Sequence, residues 1–229
     1  MRIYASGIAG WVLGWMLAPA ALADEARPVV VELFTSQSCS SCPPADALLG
    51  ELATRPGVLA LGFHVTYWND TGWKDTLSRR ESTERQMQYD RRLTGGQMYT
   101  PQMVIDGTAD AIGSERDAVL AAIAAAKPAT VAPVRFAADR RSVAIGAGNA
   151  ASGASVLLLR YVRSRVTQIG AGENAARTLR DTNGVSGVAV LGNWNGAAAS
   201  FPIDPPADGE GVAVLVQAPD GKMLGAAAI

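Results

Sequence analysis

The chain has 229 residues, with 20 Lys and Arg against 21 Asp and Glu, a single His and a formal net charge of −1. That balance leaves no basic footprint for nucleic acid, and the arginine-rich stretch from Arg79 to Arg92 is diluted by Asp75, Glu81, Glu84 and Asp90 into what reads as a solvated helix face. Its length is enough for one large core or two modest ones.

The first segment reads as a leader. Arg2 supplies a short positive region, Ile3 to Leu17 is nearly all apolar or small, and Ala21-Leu22-Ala23 is a small-residue cleavage signal. Residues 1–23 are therefore expected to be a signal peptide cut after Ala23. The destination would be periplasmic or secreted, without a stable membrane anchor, because the apolar run falls short of the ~20 residues of a bilayer span and is broken by glycines and Pro19. Such a compartment favours cysteine pairing.

"VVVELFT" (29–35) is an unbroken apolar run rich in β-branched residues, as expected for a strand buried on both faces. "SQSCSSCPPAD" follows and holds both cysteines, Cys39 and Cys42. Beyond them Ala45, Leu48, Leu49 and Leu52 recur at helical spacing, and Pro56-Gly57 stops the helix. "VLALGFHV" (58–65) is a second buried strand, so the order strand, helix, strand predicts a right-handed βαβ unit. Segment 74–93 is polar with sparse apolar points at Leu77, Met87 and Leu93, and reads as an exposed helical insertion. "YTPQMVIDGTADAIGS" (99–114) predicts two short strands around an Asp106-Gly107 turn. A closing helix over "ERDAVLAAIAAAK" then starts from a capping-box-like pair, Ser114 and Asp117.

At "KPATVAP" (127–133) the character changes, which places a domain boundary between residues 24–127 and 133–229. The second half alternates short apolar runs with Gly and Asp-Gly punctuation, predicting an antiparallel sandwich or barrel of six to eight strands. No catalytic constellation is visible in it.

The chemistry lies in the cysteine pair. A loop this short removes only about 2 kcal/mol of chain entropy, so a staple between distant segments would serve stability better. Two thiols spaced two residues apart at a helix start instead make a local, reversible redox couple, with the helix N-terminus available to a thiolate. Pro43 and Pro44 fit the first turn, where no N–H is needed; either Ser38 or Ser41 would be the cap. Zinc lacks its other ligands, since there is no second cysteine pair and the only His, His64, sits in a predicted buried strand. Copper held by the thiolates with Met87, Met98 or Met103 is an alternative, as is a binding module in which the disulfide is inert. A hydrolytic Cys39–His64 pair is disfavoured, because the histidine would have to leave its strand and the second cysteine would have no role.

A strand, a C-S-S-C motif opening a helix, a parallel strand, then Thr100-Pro101 leading into a strand, a turn, a strand and a helix together resemble the thioredoxin superfamily. More narrowly, "VELFTSQSCSSCPPAD", "HVTYWNDTGWKD", "YTPQMVIDG" and "GENAARTL" resemble a bacterial family of secreted thioredoxin-like proteins carried as a domain of unknown function. The resemblance implies an α/β thioredoxin-like domain (24–127) with the insertion at 74–93, followed by a mainly antiparallel β domain. It implies a thiol–disulfide oxidoreductase with catalytic Cys39 and Cys42, substrate contacts at Thr100 and at a cis Pro101, and no cofactor. Glu32 would be a proton shuttle one residue out of register. Tyr67, Trp68 and Trp73 would form an aromatic rim, or else pack the insertion onto the sheet, and His64 is left out of the catalytic set. Partners would be protein or small-molecule thiols and disulfides, and the Ser40-Ser41 dipeptide leaves the direction of exchange open.

Overall fold

The computed structural model describes residues 27–149 and 153–229. The expected leader lies outside them.

Strand β1 (Val29–Thr35) is buried along its whole length because helices cover both of its faces. Its odd residues Val29, Val31 and Leu33 meet α1 (Pro43–Leu52) and α3 (Arg116–Ala125), while Val30 and Phe34 join a second cluster with Tyr89 of α2 (Arg80–Leu93). Burial of each such aliphatic side chain stabilises the fold by about 1.5–3 kcal/mol. β2 (Val58–His64) pairs parallel to β1, whereas β3 (Gln102–Ile105) pairs antiparallel on its other side and continues to β4 (Ala109–Ile112). The β3–β4 turn is Asp106-Gly107, both at positive φ, and the Asp106 carboxylate accepts two bonds from Arg27 and one from the Val30 N–H.

The 74–93 segment differs from its expectation. Helix begins only at Arg80, and its inner face is polar: Ser82, Arg85, Gln86, Tyr89 and Asp90 are buried while Met87 is exposed. Most of this polar face is paired, Arg85 with Glu32 and Gln86 and Asp90 with Gln102, while Ser82 Oγ and Asp90 Oδ2 are buried without a hydrogen-bond partner among the described residues. The capping box is not formed either, since Glu115 occupies the cap position of α3 and makes no side-chain cap bond.

Among the described residues seven strands follow α3: β5 (Val134–Phe136), β6 (Ser142–Ile145), β7 (Ala154–Gln168), β8 (Thr178–Trp194), β9 (Ala199–Pro202), β10 (Glu210–Gln217) and β11 (Met223–Ala228). They do not close on themselves as a separate sandwich or barrel. β8 pairs parallel with β2 at Gly184 and Gly62, giving one eight-stranded mixed sheet in the order β11-β10-β7-β8-β2-β1-β3-β4. Glycine makes that seam feasible, because a Cβ at Gly62 would stand 3.2 Å from the Thr182 carbonyl oxygen. β5, β6 and β9 form a three-stranded antiparallel sheet, and its Val143 and Ile145 pack on Val156, Val212 and Val214 of the large one. The molecule is thus a mixed α/β fold of a large sheet, three helices and a small antiparallel sheet among the described residues.

Candidate functional site

Cys39 and Cys42 form a disulfide on the loop between β1 and α1. Both residues are buried, at 1% and 0% exposure, so exposure does not separate an outer from an inner sulfur. What separates them is hydroxyl contact: the Cys39 sulfur lies 3.3 Å from Ser41 Oγ and accepts from Thr100 Oγ1 at 3.4 Å. Thr100 in turn accepts from Trp68 Nε1 at 2.8 Å, and the Thr100–Pro101 peptide is cis. Ser40 and Ser41 are exposed above the sulfurs. Neither Ser38 nor Ser41 caps α1. Cys42 holds the cap position without a side-chain cap bond, and Ser38 Oγ donates to the Trp73 carbonyl at 2.5 Å.

Beneath this loop lies a buried ionic cluster. His64 Nδ1 bonds Asp75 Oδ2 at 2.8 Å, and its Nε2 stands 3.7 Å from Asp181 Oδ1. Gln37, two residues before Cys39 and fully buried, ties the cluster to the loop: its backbone N–H donates to Asp75, its side-chain amide nitrogen donates to Asp181 and Thr167, and its side-chain Oε1 accepts from Trp73 Nε1. Burial alone would lower the His64 pKa, but the Asp75 charge and hydrogen bond, with Asp181 behind them, raise it to about 9. Burial would likewise raise Asp75, yet the His64 charge and the bonds from His64, Gln37 and Leu77 hold it below its ordinary value. Asp181 is raised by burial. Asp46, one helical turn past Cys42 and bonded to Thr35 Oγ1, is pushed up to about 7 by burial against the pull of His64.

The long β7–β8 hairpin reaches the same loop. At its tip Asn174, fully buried, donates from Nδ2 to the Gln37 carbonyl at 3.0 Å and the Cys39 carbonyl at 2.9 Å. Its neighbour Glu173 accepts from the Ser40 N–H at 3.3 Å. Gly172, at φ 76°, is pressed against Trp73, where a Cβ would stand 3.2 Å from the tryptophan Cβ.

The structure thus brings together Cys39, Cys42, Thr100, Pro101, Trp68 and Trp73. Tyr67 lies beside Trp68 at 6.3 Å between ring centroids but sends its hydroxyl to Gln86, with its pKa raised by burial to about 12. Glu32 is elsewhere. It projects from β1 toward α2, where Arg85 binds it through Nε at 2.5 Å and Nη2 at 3.1 Å and Tyr89 donates its hydroxyl. Held there, Glu32 makes no hydrogen bond to either cysteine, and the ionisable groups buried beneath the loop are instead His64, Asp75 and Asp181. Sequence reading left these out together with Gln37, Glu173 and Asn174. The signals were the chain's only histidine and the motif "GENAARTL", whose Asn174 turns out to be an anchor.

Among the described residues no group of three His, Cys, Asp or Glu side chains is arranged to hold a metal. A groove of about 330 Å³, lined by neither cysteine, runs between α1 (Pro43, Asp46, Gly50) and β8 (Thr178, Arg180, Thr182). A larger cleft of about 620 Å³ lies between α2 and the strands β7, β8 and β10, and neither cysteine lines it.

The family model described as "Protein of unknown function (DUF1223)" matches residues 30–217. The chain belongs to the DUF1223 family. This DUF1223 chain is similar, at 33% identity, to a protein of Agrobacterium tumefaciens solved by X-ray crystallography; the match covers 90% of this chain and 96% of that one, with a TM-score of 0.76. It is also similar in fold to HBP35 of Porphyromonas gingivalis, at 12% identity and a TM-score of 0.57, over 89% of this chain and 75% of that one. No curated protein matches the sequence.

Proposed function

We propose that the chain is an exported thiol–disulfide oxidoreductase of thioredoxin-like architecture, exchanging disulfides with protein or small-molecule thiols through Cys39 and Cys42. The observation that carries this reading is the placement of the disulfide at the start of α1 with the Thr100 hydroxyl directed at the Cys39 sulfur. Partners for this loop from three separate segments, Trp73, Thr100 and the second-half hairpin through Asn174, support it.

In the reduced form, the Cys39 thiolate attacks a sulfur of the partner's disulfide. A Cys39–partner disulfide forms, and the other partner sulfur leaves as a thiolate that takes up a proton. The Cys42 thiolate then attacks the Cys39 sulfur and expels the second partner thiol. Two electrons have passed to the partner, and the Cys39–Cys42 disulfide is restored. Run backwards, the same steps oxidise a partner dithiol. The backbone at Thr100-Pro101 pairs with the partner segment while sulfurs are exchanged, and the rim of Trp68 and Trp73 borders it.

The burial of both sulfurs favours a second reading, in which the disulfide is inert and the protein is a binding module. Two measurements separate them. Cys42→Ser is expected to accumulate disulfide-linked partners and Cys39→Ser is not; capture by neither variant overturns the exchange reading. A catalytic pair has a reduction potential above about −300 mV, whereas a structural one lies below it.

A further inference from the structure

The Cys39–Ser40 peptide group is held at both ends by two consecutive residues of the hairpin tip. Its carbonyl accepts from Asn174 Nδ2 at 2.9 Å, and its N–H donates to the Glu173 carboxylate at 3.3 Å. This matters because N–H groups turned toward the sulfur are one of the means, beside nearby cations, by which a cysteine at a helix start acquires a low thiol pKa.

The Ser41 N–H aside, the amides around this loop have other acceptors. Ser38 N–H donates to Ser36 Oγ, Cys39 N–H to the Ser36 carbonyl and Cys42 N–H to the Cys39 carbonyl. Positions 43 and 44 are prolines and bring no N–H at all, and the next amides, Ala45 and Asp46, donate to the Cys42 carbonyl. With the Ser40 N–H fixed on Glu173, the Cys39 sulfur is left with the hydroxyls of Ser41 and Thr100. The helix N-terminus therefore has at most the Ser41 amide to offer a Cys39 thiolate, and Glu173 adds a negative charge at the rim.

Building on the exchange reading above, we propose that Glu173 and Asn174 are positioning residues that keep the Cys39 thiolate weakly stabilised and so hold the pair at the reducing end, making the protein an electron donor to partner disulfides. A thiolate-stabilised pair is an oxidant because its reduced form is favoured. Withholding that stabilisation favours the disulfide and makes the dithiol the better reductant. The assignment gives the second half a role in the site. Other ionisable groups near the loop are Asp46 on α1, His64 on β2, Asp75 after it, Asp181 on β8 and Arg177 on the tip, which bonds Asn174 Oδ1.

The test uses the full mature chain and glutathione as the redox probe. At equilibrium the Cys39–Cys42 disulfide and two glutathione thiols give the dithiol and one glutathione disulfide, so two electrons and two protons are balanced. Wild type is expected to show a Cys39 thiol pKa near the free-cysteine value of about 8.5, read from thiolate ultraviolet absorbance. Glu173→Ala, which frees the Ser40 N–H and removes the charge, should lower that pKa. It should also shift the glutathione equilibrium toward the dithiol by threefold to tenfold; tenfold corresponds to about 30 mV for a two-electron couple. Glu173→Gln keeps an acceptor for Ser40 and should give a smaller shift, and Asn174→Ala should move both readouts in the same direction as Glu173→Ala. Glu173 is exposed, so its variants keep the test valid should Asn174→Ala fail to fold. A wild-type thiol pKa well below 8, or unchanged pKa and equilibrium in both Glu173 variants, overturns the proposal while the exchange reading stands. A wild-type disulfide that glutathione leaves intact at every ratio overturns both.

Discussion

His64 illustrates how one residue can be silent in sequence and central in structure. A lone histidine in a strand of apolar residues reads as a packed core residue, yet its ring is clamped between Asp75 and Asp181 directly below the disulfide loop. Its pKa, raised to about 9, makes stability depend on pH in a defined direction. The folded state holds the proton more tightly than the unfolded state, whose histidine titrates near 6.5. The contribution of His64 is therefore fully present below about pH 6.5 and is lost as pH rises through about 9. Urea denaturation should show stability falling by on the order of 2–3 kcal/mol between pH 7 and pH 9.5. His64→Gln should be less stable at pH 7 and nearly flat over that window. A wild-type curve that is flat from pH 7 to 9.5 would contradict the ion pair. Glu32 teaches the converse lesson, since the resemblance offered it as a shuttle one residue out of register, but alternation along β1 turns it to the α2 face, where Arg85 pairs with it.

At the level of elements, the strand-helix-strand opening was legible because β1 and β2 are continuous apolar runs and α1 repeats at helical spacing. The packing of α2 was not, because its buried face is polar and its partners Glu32 and Gln217 lie far away in the chain. Hydrophobic periodicity carries no information about a helix that buries charge by pairing it. The junction of β2 with β8 was equally hidden: a glycine in a strand reads as a weak point, whereas here Gly62 and Gly184 let two backbones approach. Gly62→Ala would place its methyl 3.2 Å from the Thr182 carbonyl oxygen and 3.4 Å from Leu49, both held by surrounding structure. Such overpacking costs about 1–3 kcal/mol. A fall in thermal midpoint is expected, along with faster amide exchange in β8 near the tip that carries Asn174. An unchanged midpoint would mean that the seam has slack.

For the molecule as a whole, composition marked residues 127–133 as a boundary, since the alanine-rich helix gives way there to short strands, but long-range strand pairing leaves no local trace. The first half's cluster around Phe34 and Phe63 is completed by Leu157, Leu159, Val185 and Leu215 from beyond that point. Without them β2 would become a bare edge and the apolar inner face of the sheet beside α2 would meet water, a combination that invites aggregation. Contacts of this kind couple the halves in one cooperative unit. A chain of residues 24–229 is accordingly expected to unfold in a single transition, with coincident curves from tryptophan fluorescence and far-ultraviolet circular dichroism. Trp68 and Trp73 lie in the first half and Trp194 in the second, so fluorescence samples both. A fragment of residues 24–127 should lack a cooperative transition, and its disulfide loop, deprived of Asn174 and Asp181, should be reduced by glutathione more readily than in the full chain. Two separated transitions in the full chain, or a fragment that melts cooperatively with its native glutathione equilibrium, would show instead that the loop is held by the first half alone.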